Sequence, residues 1–234
     1  MPESYGNILM LKQAFCFILG LVLGACSPGA LVVPQSHVDD AAALASKTIA
    51  LVHDRNGQEL RSFCSGVWVS DTSILTAFHC VDDVGADGVS YTAPETDKAF
   101  HAALYAIDPG HDLALLRSAG NYAPYHGVAH VGLDNIRPGA WVSTMGHPLG
   151  LTWSYSSGDI AAVRDLDIGD GLGEVSWIQA TAPISPGNSG CGLFDAHGSL
   201  VGVAHAFMPR GESLAFFVHG KYVDAFLRKQ GNAL

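Results

Sequence analysis

Charge is scarce in this chain, and positive charge is scarcest. Of 234 residues only 15% are charged, with 12 Lys and Arg against 22 Asp and Glu, a formal net charge of −10. Basic side chains cluster nowhere, which removes the electrostatic footprint a nucleic-acid partner requires. Membrane-spanning length is missing as well. The apolar run Ala14–Ala25 holds 12 residues, short of the roughly 20 that cross a bilayer. The eleven histidines are scattered. His126 and His130 stand four apart, but Pro124, Gly127 and Gly132 break any helix there, so both read as loop or surface residues. We expect no metal and no cofactor. What remains is a globular composition, 48% hydrophobic, in a chain long enough for one large domain or two small ones.

The run Ala14–Ala25, preceded by Lys12, fits the apolar region of a signal peptide. It ends in Leu23-Gly24-Ala25-Cys26, which resembles a bacterial lipobox. That resemblance implies cleavage before Cys26 and a lipid on its thiol, hence a membrane contact through an anchor at the cell envelope. A signal peptide without lipid is the alternative. Met10 offers a second start, giving Met-Leu-Lys ahead of the apolar run. Export permits disulfides. With Cys16 in the signal and Cys26 at the lipobox, Cys64, Cys80 and Cys191 remain, and three cannot all pair. Cys64 and Cys80 bracket two strand-like segments, so we expect them bridged and Cys191 left as a buried or shielded thiol.

After a tether and short helix over 26–45, short β-type runs alternate with turn signals. They fall at Thr48–His53, Phe63–Ser70, Ile74–Ala77, Val89–Ala93, Ala102–Ile107 and Leu113–Arg117. After a connector near Pro124–Gly127 they resume at Trp141–Met145, Gly158–Arg164, Ser176–Ala180, Leu193–Phe194, Leu200–Ala206 and Leu214–Val218. Asn56-Gly57 reads as a hairpin turn. The end has apolar residues at 222, 223, 226 and 227 with cations after them, which is helical spacing. The reading is all-β with one C-terminal helix: one β unit over 46–122, a second over 123–218, and the helix over 219–234.

Three blocks carry chemistry. His79 ends the apolar strand Ile74–Ala77 beside Cys80. Asp112 leads the apolar run Leu113–Leu116, where an acid is costly unless paired. Ser189 lies in Ser185-Pro-Gly-Asn-Ser-Gly-Cys191, where flanking glycines allow a sharp turn and can aim backbone N–H groups at one point. Base, orienter and nucleophile thus occur in the order His…Asp…Ser, unlike α/β-hydrolases and subtilisins. Leu75-Thr-Ala-Phe-His-Cys80, Asp112-Leu-Ala-Leu-Leu116 and Gly187-Asn-Ser-Gly190 together resemble the trypsin-like serine peptidases. Gly146-His-Pro-Leu-Gly150 and Ser157–Val163 resemble the bacterial Do-like (HtrA-type) branch. The resemblance spans about Ala45–Lys229 and implies two six-stranded antiparallel β-barrels with the site in the cleft between them. It implies Ser189 as nucleophile, His79 as general base, Asp112 as its orienting partner, and an oxyanion hole from the N–H groups of Gly187 and Ser189. The Cys64–Cys80 pair matches the family's bridge beside that histidine.

Departures from the family pattern narrow the expectations. Asn188 stands where an aspartate pairs with a new N-terminus in activated zymogens, so we expect no such activation cleavage. Pro183, six residues before Ser189, is not acidic, which argues against Lys or Arg selection. Pocket walls are expected from Pro183, Ile184, His205 and Phe207, favouring a small or medium apolar side chain. Cys191 replaces a usual glycine and could crowd the cleft or pack behind it. No chain extends past the terminal helix for a PDZ domain, so tethering through one is not expected. Protein or peptide substrates are the implied partners. The competing readings are an envelope lipoprotein that binds without turnover, and an esterase on the same scaffold.

Overall fold

The computed structural model describes residues 43–54, 60–83, 88–94, 96, 98–118, 128–207 and 214–231. The signal segment with Cys26, most of the tether, the Asn56-Gly57 turn, His126 and the connector around Pro124 lie outside the described residues.

Among the described residues, twelve strands form two closed barrels. The first comprises β1 (Thr48–Asp54), β2 (Leu60–Trp68), β3 (Ser73–Ala77), β4 (Val89–Thr92), β5 (Phe100–Asp108) and β6 (Leu113–Ser118). Its strand order is β1-β2-β3-β6-β5-β4. The second comprises β7 (Trp141–Gly146), β8 (Ser154–Leu166), β9 (Val175–Ala180), β10 (Gly192–Asp195), β11 (Leu200–Phe207) and β12 (Ala215–His219). Its order is β10-β11-β12-β9-β8-β7, and every strand-to-strand pairing in both barrels is antiparallel. Closure removes exposed sheet edges. The two six-stranded barrels and short terminal helix inferred from sequence are therefore the observed architecture.

Each barrel fills its own interior. Ile49, Leu51, Trp68, Ile74, Tyr91 and Leu116 pack inside the first, and Val142, Ile178, Leu193, Val201 and Phe217 inside the second. A third buried cluster draws on both: Val67, Leu75, Leu113 and Leu115 meet Met145, Trp177, Phe194 and Val203. At about 1.5–3 kcal/mol for each large side chain removed from water, this seam fixes the barrels against each other and so fixes the cleft above it. The C-terminal helix α1 (Gly220–Lys229) seals the second barrel with Val223, Phe226 and Leu227. His219 caps it by accepting from the Lys221 N–H.

The largest departure from the strand pattern is β8, which runs 13 residues where alternation suggested Gly158–Arg164. Its extra residues are partly exposed and are held by ladder bonds to β7 and β9, from Gly146↔Ser154 to Leu166↔Val175. Pairing with neighbours, not burial, sets that strand's length. Near the start, a helical turn over 43–47 precedes β1, with the Thr48 hydroxyl donating to Leu44 O.

Candidate active site

β3 and β6 are paired so that Ala77 stands opposite Leu113. That register sets the residues just after β3 beside those just before β6. A tight 3-10 turn, Phe78–Cys80, carries His79. Asp112 comes after a second such turn and adopts φ 52°, ψ 44°, the left-handed region. Asp tolerates this conformation better than most side chains, and bonds to its neighbours hold it there. Phe78 N–H donates to Asp112 O at 3.0 Å. The Asp112 carboxylate accepts from His79 twice, from the backbone N–H at 2.8 Å and from Nδ1–H at 2.7 Å. Asp112 is 3% exposed. Burial pushes its pKa up, but hydrogen bonds from His205 and His79 and their charges outweigh that and hold it at about 2. The residue is thus an anion fixed on the imidazole.

Ser189 sits in a turn locked to both barrels. Asn188 N–H donates to Ser185 O and Cys191 N–H to Asn188 O, each at 2.9 Å. Ser189 O accepts from Ser65 N–H on β2, and Gly190 N–H donates to Ala204 O on β11, both at 2.8 Å. Two glycines are required. Gly187 has φ 102°, and a Cβ there would lie 2.2 Å from His147 O; Gly190 has φ 85°, and a Cβ would lie 2.3 Å from Ser65 O. Cys80 Sγ lies 3.8 Å from Ser189 O, which brings the residue after His79 against the serine turn. Cys80 is bridged to Cys64 with a Cα–Cα distance of 6.2 Å.

A buried chain of polar groups holds this turn from behind. Ser65 Oγ donates to Gly187 O at 2.8 Å and lies 2.8 Å from His147 Nδ1. With its one proton committed to the carbonyl, Ser65 accepts from His147 Nδ1–H. The Gly187 carbonyl therefore points inward. Among the described residues no acceptor takes the N–H of Gly187 or of Ser189. His147 is fully buried, its ring stands edge-on to Trp153, and its Nε2 has no partner. Burial lowers its pKa to about 3, so the ring is neutral. Gly146 admits this packing, since a Cβ would meet Asn188 Oδ1 at 2.3 Å.

Beside Ser189 opens a cavity of about 270 Å³ lined by Ile184, Ser185, Pro186, Ser189, His205 and Ala206. Of the wall residues expected from sequence, Ile184 and His205 line it. Pro183 is exposed and does not line this cavity. Phe207 ends β11, with its side chain outside the described residues. Cys191 is free and fully buried, with Sγ 3.0 Å from Thr144 Oγ1. It packs behind the turn rather than into the cleft, and burial raises its pKa to about 12. In this structure His79 Nε2 and Ser189 Oγ make no hydrogen bond to each other among the described residues. Such bonds commonly form only around a bound substrate.

The fold has counterparts in known proteins. The family model of the Trypsin-like peptidase domain matches residues 64–203. The chain belongs to that family. A protein of Brucella suis named "Probable periplasmic serine endoprotease DegP-like" is 35% identical over 174 residues, covering 70% of this chain and 33% of that protein. Its Bartonella henselae namesake is 36% identical over 154 residues, covering 64% and 29%. The chain thus spans about a third of the length of the curated relatives it matches. Among solved structures, the HtrA-type protease AlgW with a tripeptide superposes with TM-score 0.69 at 26% identity, covering 83% of this chain and 64% of that one. A Mycobacterium tuberculosis protease in its active form gives TM-score 0.70 at 22% identity, covering 86% and 88%; at that identity it speaks for the fold alone.

The groups that sequence reasoning missed are Ser65, His147 and Asp170, with the Asp112-bonded role of His205. His147 carried a signal, lying inside the Gly146–Gly150 motif. Asp170 carried none beyond its glycine-rich loop.

Proposed function

We propose that this chain is a serine endopeptidase that cleaves peptide bonds through Ser189, His79 and Asp112. The observation that carries the reading is the double hydrogen bond from His79 to an ionised, buried Asp112, with the Ser189 turn docked alongside. Asp112 holds Nδ1–H, so Nε2 is the basic nitrogen and is left open to the cleft. His79 takes the Ser189 proton as Oγ attacks the scissile carbonyl and returns it to the leaving amine. Asp112 stabilises the imidazolium formed between these steps. The N–H groups of Gly187 and Ser189 receive the oxyanion, each such donor lowering the barrier by roughly 2.7–4 kcal/mol. The inward carbonyl of Gly187, kept there by Ser65 and His147, supports that orientation. The small, largely apolar cavity walls of Ile184, Pro186 and Ala206 favour a small or medium apolar side chain before the cleaved bond.

The site works outside the cytoplasm on this reading. The Ala14–Ala25 run, the disulfide and the periplasmic names of the relatives support export, and Leu23–Cys26 supports lipidation at Cys26. Incubation with reduced, unfolded casein tests the activity: wild-type protein is expected to release peptides and Ser189→Ala none. Equal release by both would end the proposal. Incorporation of labelled palmitate that persists in Cys26→Ser would end the anchor.

A further inference from the structure

His205 lines the cavity beside Ser189 and does more than wall it. Its side chain is 10% exposed and sits between two carboxylates. Nδ1 lies 2.5 Å from Asp112 Oδ2, the oxygen that also accepts from His79, and Nε2 lies 2.7 Å from Asp170 Oδ2. Its ring stacks on Trp177 of β9 with centroids 4.8 Å apart, and stands edge-on to the His79 ring at 5.7 Å. Among the described residues, the charged or titratable groups facing it are thus His79, Asp112 and Asp170. Asp170 is built for this contact. It lies in the β8–β9 loop among Gly169, Gly171 and Gly173, all at positive φ. Its Oδ1 accepts from Leu172 N–H at 3.0 Å, leaving Oδ2 for His205.

We propose that His205 is a positioning residue, held as an imidazolium between Asp112 and Asp170, that fixes the Asp112 carboxylate on which His79 is oriented. Carboxylate oxygens only accept, so both ring nitrogens of His205 must donate. Burial disfavours that charge, but the hydrogen bonds and charges of Asp112 and Asp170 outweigh it. Sharing Oδ2 weakens the bond from His79 Nδ1–H, and it ties the carboxylate to β11 and to the Asp170 loop.

The labelling arm of the test rests on the peptidase reading; the spectroscopic arm does not. In ¹H–¹⁵N spectra of wild-type protein at pH 7, His205 is expected to show both ring N–H protons. His205→Leu, which has no donor, is expected to move the His79 Nδ1–H resonance downfield, since Oδ2 is no longer shared. A His205 carrying one ring proton at pH 7, or an unmoved His79 resonance, would overturn the inference. With a fluorophosphonate probe, the labelling rate is expected to fall at least about tenfold in His205→Leu. It should fall less in Asp170→Asn, a loop change that leaves the barrel core untouched. Reduced labelling in both variants with the His79 resonance unmoved would mean a merely structural role and overturn the inference. Absence of wild-type labelling would count against the peptidase reading alone.

Discussion

Lowering the pH should unfold this protein through one fully buried ring. His147 has a folded pKa of about 3 because burial penalises its charge, whereas an unfolded histidine titrates near 6.5. Between those values the unfolded chain binds a proton that the folded chain refuses, so stability falls as pH falls. By pH 4.5, two units below the unfolded value, the loss is roughly 3 kcal/mol, a large share of a typical total of roughly 5–15 kcal/mol. Other groups act in separable ways. Asp112 loses its contribution only below about 3.8, since its folded value is about 2. His205, whose pKa is raised, contributes fully below 6.5 and loses that contribution as pH rises. His219, lowered by burial, works in the same direction as His147, so a variant is needed for subtraction. Urea unfolding of wild type and His147→Asn at pH 7.0, 5.5 and 4.5 provides it. The variant is expected to be less stable at pH 7 but to lose roughly 3 kcal/mol less on acidification. Parallel curves down to pH 4.5 would refute the reasoning.

The site and its bridge give three further expected outcomes. Cys191, fully buried with its thiol pushed up to about 12, should resist iodoacetamide in native protein and react after unfolding; rapid native alkylation would contradict its placement. Gly187→Ala should cut fluorophosphonate labelling at least about 100-fold, because a side chain at φ 102° would strike His147 O and displace the turn. Opening the Cys64–Cys80 bridge, which spans 16 positions, should lower stability by about 3 kcal/mol in urea unfolding; unchanged stability in Cys64→Ala/Cys80→Ala would oppose it.

Strands were legible as short apolar runs bounded by turn residues, because burial writes itself as hydrophobicity. Leu113–Leu116, apolar and buried along its whole length, shows it. The ends of β8 were not legible, since ladder pairing holds them without apolar residues. Ser189, His79 and Asp112 stood out because glycine-flanked turns and a costly acid on an apolar strand are unusual patterns. His205 looked like a strand residue facing a pocket. Its bond to Asp112 depends on the closure of one barrel against the other, and its bond to Asp170 on a loop about 35 residues away in sequence. Neither leaves a local trace. The same holds for Ser65 and His147, 82 positions apart and joined only by folding. Cys191 was ambiguous because one residue step along a turn decides between cleft and core.

The central claim is that Ser189 is an activated nucleophile. Intact-mass analysis and peptide mapping after fluorophosphonate treatment of native protein test it most directly. One adduct on Ser189, absent after denaturation and lost in His79→Ala, is the predicted result. No adduct, or one that forms equally well without His79, would contradict it.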